Sequence, residues 1–168
     1  MSLASDIGVL RRVPMLSEFS EDQLRLLAFS AESSTVREGT RIFRQGEIAD
    51  GGVVITKGRV QLETGTGDHI VNHGVYGEGT LLGENALLSD GIRPVTARAL
   101  EDCSIIRIRR PLFSRMLQEY PELAGRLLKV RADKFKRTTD ALERIGRRLS
   151  DIDRLSASIH KKEGGLED

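Results

Sequence analysis

Between Gly39 and Gly91 a glycine recurs every few residues: Gly39, Gly46, Gly51, Gly52, Gly58, Gly65, Gly67, Gly74, Gly77, Gly79, Gly83 and Gly91. A helix does not tolerate that density, because each interior glycine costs roughly 1 kcal/mol relative to alanine. The segments between the glycines are short: TRIFR, GVVIT, RVQLE, HIVN, VTARAL and SIIRIR. Several alternate apolar with polar residues or are rich in β-branched ones. Short strands divided by closely spaced turns predict a β-sandwich or barrel.

Both flanks read as helix. Residues 20–32, SEDQLRLLAFSAE, open with Ser20 and carry Gln23 three positions on, a capping-box pattern. Leu24, Leu27 and Ala28 then share one helical face. Pro14 and the polar stretch around Ser17 separate this helix from a weaker one over residues 3–11. After the strands, Pro111 suits a first helical turn. Pro121 suits the start of a further helix after a break at Tyr120, and no proline follows up to His160. The expected fold is mainly β with flanking α, divided at residue 124: a β-domain over 1–124 and a long C-terminal helix with a frayed tail over 125–168.

Composition narrows the function classes. The apolar fraction of 39% supplies one core, and a net charge of +1 gives no global pull toward nucleic acid. The single cysteine, Cys103, excludes a disulfide within the chain and fits a reducing compartment. It sits in an apolar strand, where a cysteine reads as a small buried hydrophobe. No apolar run reaches a membrane span, and no signal-peptide pattern opens the chain. A cytoplasmic, non-membrane protein is the expectation. His69, His73 and His160 are too few and too scattered for a metal centre, and no catalytic grouping stands out, so neither an enzyme nor a metal site is expected.

The long helix carries a heptad. One track is Leu128, Phe135, Leu142, Leu149 and Ser156; the other is Arg131, Thr138, Ile145, Ile152 and Ile159. Mostly apolar seam positions predict a coiled-coil-like face and a homo-oligomer through residues 125–160, packing back on the β-domain being the alternative. Residues 125–148 hold nine Lys/Arg against three Asp/Glu, a local net of 9 − 3 = +6. That face is either solvated or touches nucleic acid or an acidic partner. About eight residues follow His160, too few for a helix-turn-helix, so direct DNA binding is not expected of this sequence unless it is the sensor half of a longer regulator.

The stretch GENALLSDGIRPVTARA, residues 83–99, carries the candidate chemistry. A phosphate group presents negatively charged oxygens, which a guanidinium can pair and backbone N–H groups can supplement. ENALLSD reads as a single helical turn whose N–H groups at Asn85, Ala86 and Leu87 would face such an anion. Gly83 permits close backbone approach. The bland alternatives are that Arg93 is a surface cation, or that Glu84 pairs with it in an empty pocket.

The stretch resembles the phosphate-binding cassette of cyclic-nucleotide-binding domains, found in catabolite-activator-type regulators, cyclic-nucleotide-dependent kinases and gated channels. VPMLSEFSEDQLRLLA resembles the leading helices of that family. IFRQGEIADGGVVITKGRVQL resembles its first hairpin, and RALEDCSIIRIRRPLFSRMLQEYPELAGRLL its closing strands and following helix. About residues 8–130 are covered. The resemblance implies a jelly roll (double-stranded β-helix) with N-terminal helices and a long C-terminal helix, sensing cAMP or cGMP. It implies Glu84 as acceptor for the ribose 2′-OH, Arg93 as phosphate partner, and Gly83 and Ala86 as backbone contributors, with Val95 and Thr96 completing the set. Lys129, Arg131, Lys134 and Phe135 are candidates to cap the base.

Two positions depart from the family pattern. Pro94 stands where a small residue usually offers an N–H to the phosphate, and proline has none. That loss is worth roughly 1.5–3 kcal/mol, or about ten- to a hundredfold in affinity. Asn85 replaces an apolar residue and needs polar partners if buried. The absence of threonine after Arg93 leans toward cAMP over cGMP. Pro94 and Asn85 also leave open a nucleotide-independent oligomerisation or scaffold module on the same fold.

Overall fold

The structure, a computed structural model, describes the backbone of residues 2–163; within the last helix the side chains of residues 130, 131, 134, 141, 146 and 148–163 lie outside the described residues. Helix α1 (Leu3–Arg12) begins at Ser2, whose hydroxyl accepts from the Ser5 N–H. A short 3-10 turn (Pro14–Leu16) leads to α2 (Glu21–Ser30). The capping box at its start forms: Gln23 N–H donates to the Ser20 hydroxyl, and the Ser20 N–H donates to Gln23 Oε1. Eight strands follow: β1 (Glu32–Val36), β2 (Arg41–Phe43), β3 (Gly51–Lys57), β4 (Val60–Thr64), β5 (Val71–Tyr76), β6 (Leu81–Leu82), β7 (Thr96–Ala99) and β8 (Cys103–Arg109). Helix α3 (Arg110–Glu119) carries Pro111 in its first turn, and α4 (Pro121–Glu163) restarts after Tyr120.

The strands form two antiparallel four-stranded sheets, ordered β1-β8-β3-β6 and β2-β7-β4-β5. Ile42, Phe43, Val53, Ile55, Val60, Leu82, Ala97, Ala99, Cys103 and Ile105 fill the space between them. This is the expected jelly roll with flanking helices. Gly51 shows why glycine recurs here: a Cβ at that position would collide with the Ile108 carbonyl oxygen, so only glycine lets β3 close on β8. A second apolar contact ties the segment before α2 to α3, with the rings of Phe19 and Phe113 stacked at 6.1 Å. Contacts divide the chain into a unit ending at Ala124 and a unit starting at Gly125.

Two elements differ from expectation. Helix α2 stops at Ser30, and Glu32–Val36 is a strand. That strand is polar and mostly exposed, so it lacks alternation; its register against β8, from Glu32↔Arg107 to Val36↔Cys103, is held by backbone pairing. HIVN contributes only its last two residues to β5, which runs on through the His73–Tyr76 segment. The tail beyond residue 163 lies outside the described residues.

Candidate functional site

The segment between β6 and β7 folds over one end of the sandwich. Gly83 adopts the left-handed region, with φ of 72°, and starts a 3-10 turn at Glu84–Leu87. The Ala86 N–H donates to the Gly83 carbonyl at 3.0 Å, and the Leu88 and Ser89 N–H groups both donate to the Asn85 carbonyl at 3.1 Å. The far end is fastened by Arg110, which donates to the Ser89 carbonyl at 2.9 Å and pairs with Asp90 at 2.5 Å. Gly83 is needed for a reason the sequence did not show. A Cβ there would strike Nη1 of Arg93, so the missing side chain makes room for the guanidinium of this protein.

Arg93 is fixed from its backbone outward. Its N–H donates to the Glu47 carbonyl, and its carbonyl accepts from the Gly46 N–H, both at 2.8 Å. Pro94 follows in a bend, and β7 begins two residues later. The side chain is only 3% exposed. Its Cζ sits 4.3 Å above the centre of the Phe43 ring, within cation–π range. Nη2 donates to Asp50 Oδ1 at 3.3 Å, while Nε and Nη1 have no hydrogen-bond partner among the described residues. Burial pushes the guanidinium below its usual value, and the neighbouring Asp50 carboxylate opposes that shift. An arginine remains charged throughout. Asp50 is shared further with Arg107 at 3.9 Å and Arg109 at 3.4 Å.

Arg93 lines a cavity of about 440 Å³, within the usual range for small-ligand sites. Gly83, Glu84, Asn85, Ala86, Pro94 and Val95 line it too, so seven of the eight expected residues converge there. Apolar walls come from Phe43, Leu62 and Leu82. Thr96 does not line this cavity. It is buried on β7, where its hydroxyl accepts from the Gln45 N–H at 2.9 Å. Of the expected base-capping positions, Arg131 and Lys134 have side chains outside the described residues, and Lys129 and Phe135 are exposed. Sequence reasoning missed Phe43, Asp50 and Arg110. Phe43 and Asp50 stand within the IFRQGEIADGG segment, but nothing in local spacing links them to an arginine more than forty residues away. Cys103 is fully buried, and burial pushes its thiol up. Among the described residues no group of three or more His, Cys, Asp or Glu could hold a metal ion, and no helix is long and apolar enough to cross a membrane.

Comparison with known proteins agrees with this geometry. The family model of the cyclic nucleotide-binding domain matches residues 34–120. A cyclic nucleotide-binding-like protein from Brucella abortus is 37% identical, covers 67% of this chain and 97% of its own, and superposes with a TM-score of 0.62. The N-terminal domain of a transcriptional regulator from Streptomyces coelicolor is 30% identical, with 80% and 94% coverage and a TM-score of 0.74. Lysophospholipase nte1 of Aspergillus fumigatus is 29% identical over 140 residues, 82% of this chain. The chain spans about a tenth, 9%, of the length of that relative.

Proposed function

The chain belongs to the cyclic nucleotide-binding domain family, and on that premise we propose that its 440 Å³ cavity takes a cyclic nucleotide and that the protein acts as a regulatory sensor, without catalysis of its own. The observation that carries this reading is Arg93: a buried cation with two donors unpartnered, lining an open cavity. A buried donor without a partner costs about 1–3 kcal/mol. The exocyclic oxygens of a cyclic phosphate supply both the missing acceptors and the opposite charge. Glu84 then accepts from the ribose 2′-OH, and Leu62, Leu82, Pro94 and Val95 give the base an apolar wall. The Ala86 N–H, engaged by the Gly83 carbonyl, reaches a phosphate only as a shared donor. Pro94 offers a purine neither N–H nor hydroxyl, which favours cAMP over cGMP. The signal leaves through α4, whose exposed Leu128, Phe135, Leu142 and Ile145 offer a seam to a second copy of the chain.

A second reading has its own support. Asp50 already occupies Nη2 of Arg93, and Pro94 removes one phosphate donor. A module that keeps the fold, with an internal carboxylate in place of a nucleotide, would look like this. Calorimetric titration with cAMP, and separately with cGMP, separates the two. The sensor reading expects micromolar or tighter binding of cAMP that falls at least a hundredfold in Arg93→Ala. No heat from either nucleotide at millimolar concentration sinks that reading and leaves the scaffold.

A further inference from the structure

A second cavity, of about 210 Å³, lies between α1 and the strands β1, β8 and β3, and it shares no residue with the first. Its polar lining is Asp6, Ser33, Ser34, Thr35, Thr56 and Ser104. We propose that it holds a singly charged cation, Na⁺, K⁺ or NH₄⁺, with the Asp6 carboxylate as counter-charge and the hydroxyls as neutral oxygen donors.

The strands set the hydroxyls together. Thr35 and Ser104 are direct partners across β1 and β8. Thr56 falls where the β3–β8 register shifts, between Ile55 and Lys57, so it is the extra residue of a bulge. Bulges re-aim side chains. Asp6 is buried, 8% exposed, and its Oδ1 has no hydrogen-bond partner among the described residues. Serines and threonines from three strands line the same cavity, yet none donates to that oxygen. A hydroxyl proton rotates toward whatever acceptor is within reach. An oxygen left alone beside such residues therefore has no hydroxyl in bonding position, and the gap fits an intermediary.

Charge selects the intermediary. Asp6 lies in the first turn of α1, where the helix end offsets part of the negative charge but not a whole one. No lysine or arginine lines the cavity. A buried carboxylate without an ionic partner is expensive, and water leaves its charge uncompensated. Calcium takes six to eight oxygens, usually with several carboxylates, and magnesium demands a near-octahedral set around strongly held waters. Transition metals favour nitrogen or sulfur donors, which are missing from this lining. One carboxylate and a set of hydroxyls fits a single positive charge.

Thermal unfolding of the full chain in the chlorides of Na⁺, K⁺, NH₄⁺ and choline, at equal ionic strength, tests the site without any nucleotide. The expected result is a saturable rise in Tm, about 3 °C at tenfold the dissociation constant, for at least one small cation over choline. Asp6→Asn abolishes the rise, and Thr56→Val, which keeps shape and removes one hydroxyl, reduces it. A thallium(I) soak of crystals, read by anomalous scattering, then places a peak in the cavity. Equal midpoints in all four salts show that water alone fills the space and overturn the proposal. A rise that survives Asp6→Asn does the same. Should Asp6→Asn fail to fold, an undiminished rise in Thr56→Val is the overturning result.

Discussion

Arg93 gathers three kinds of support in one side chain: backbone bonds to Gly46 and Glu47, the face of Phe43, and the carboxylate of Asp50. Each acts on a different freedom of the guanidinium. The backbone bonds set where the side chain starts, the ring sets the plane of its tip, and Asp50 holds one nitrogen. The ring carries a testable share. A cation over a partly desolvated aromatic face gains about 0.5–2 kcal/mol. Phe43→Leu keeps an apolar residue in the core but removes that face, so cyclic-nucleotide affinity should fall about two- to thirtyfold. Phe43→Tyr should restore it. Calorimetry on the two variants checks this, and equal affinity in Phe43→Leu would show that the ring only fills space. The residue scale also shows the limit of reading motifs. Gly83 reads from sequence as room for a ligand, whereas the space it frees is taken by Arg93.

At the scale of elements, the β2-β7-β4-β5 sheet is tied by a charge pair between a buried carboxylate and a half-buried guanidinium. Glu63 on β4 accepts from Nε and Nη2 of Arg98 on β7, at 3.0 and 2.7 Å, and from Gln61 at 3.1 Å. The Arg98 hydrogen bonds hold the Glu63 carboxyl below its usual value, outweighing the opposite push of burial. A carboxyl whose folded value is depressed stabilises the fold above its unfolded value, near 4.3, and loses that contribution as pH falls through the folded value. Stability should therefore hold above about pH 5 and drop below about pH 4. In Glu63→Gln that part of the acid loss should vanish, at the cost of lower stability at neutral pH. Denaturant midpoints measured from pH 7 to pH 3 on both proteins check the prediction, and parallel curves would refute it. Strand β1 belongs to this scale as well. Its residues, ESSTV, have no apolar period, and only the presence of β8 as a pairing edge makes them a strand.

At the scale of the whole molecule, α4 presents Leu128, Phe135 and Leu142 at seven-residue intervals, with exposures of 70%, 75% and 64%. Large apolar side chains repeated along one exposed stripe argue for a partner. The proposed partner is a second copy of the chain. Sedimentation equilibrium should give an oligomer for the native sequence and a monomer for the double variant Phe135→Glu, Leu142→Glu. The Tm of the β-domain in that variant should move little if the seam serves association alone. A monomer for the native sequence at high concentration would remove the oligomer from the proposal.

Glycine spacing, capping signals and proline positions determined the architecture from the sequence alone, because each acts over three or four residues and needs no distant partner. The resemblance of one short segment to a phosphate-binding cassette supplied the eight candidate residues, and seven of them line one cavity because that single segment carries them all. Contacts across long loops were decided only in the folded chain. Phe43 and Asp50 meet Arg93, and Asp6 shares a cavity with residues of β1, β3 and β8, because the sheets and a helix close on each other. A one-dimensional pattern records which faces are apolar, but the pairing of a charge with a ring or a carboxylate forty residues away depends on register, and register is fixed when the sheets pack.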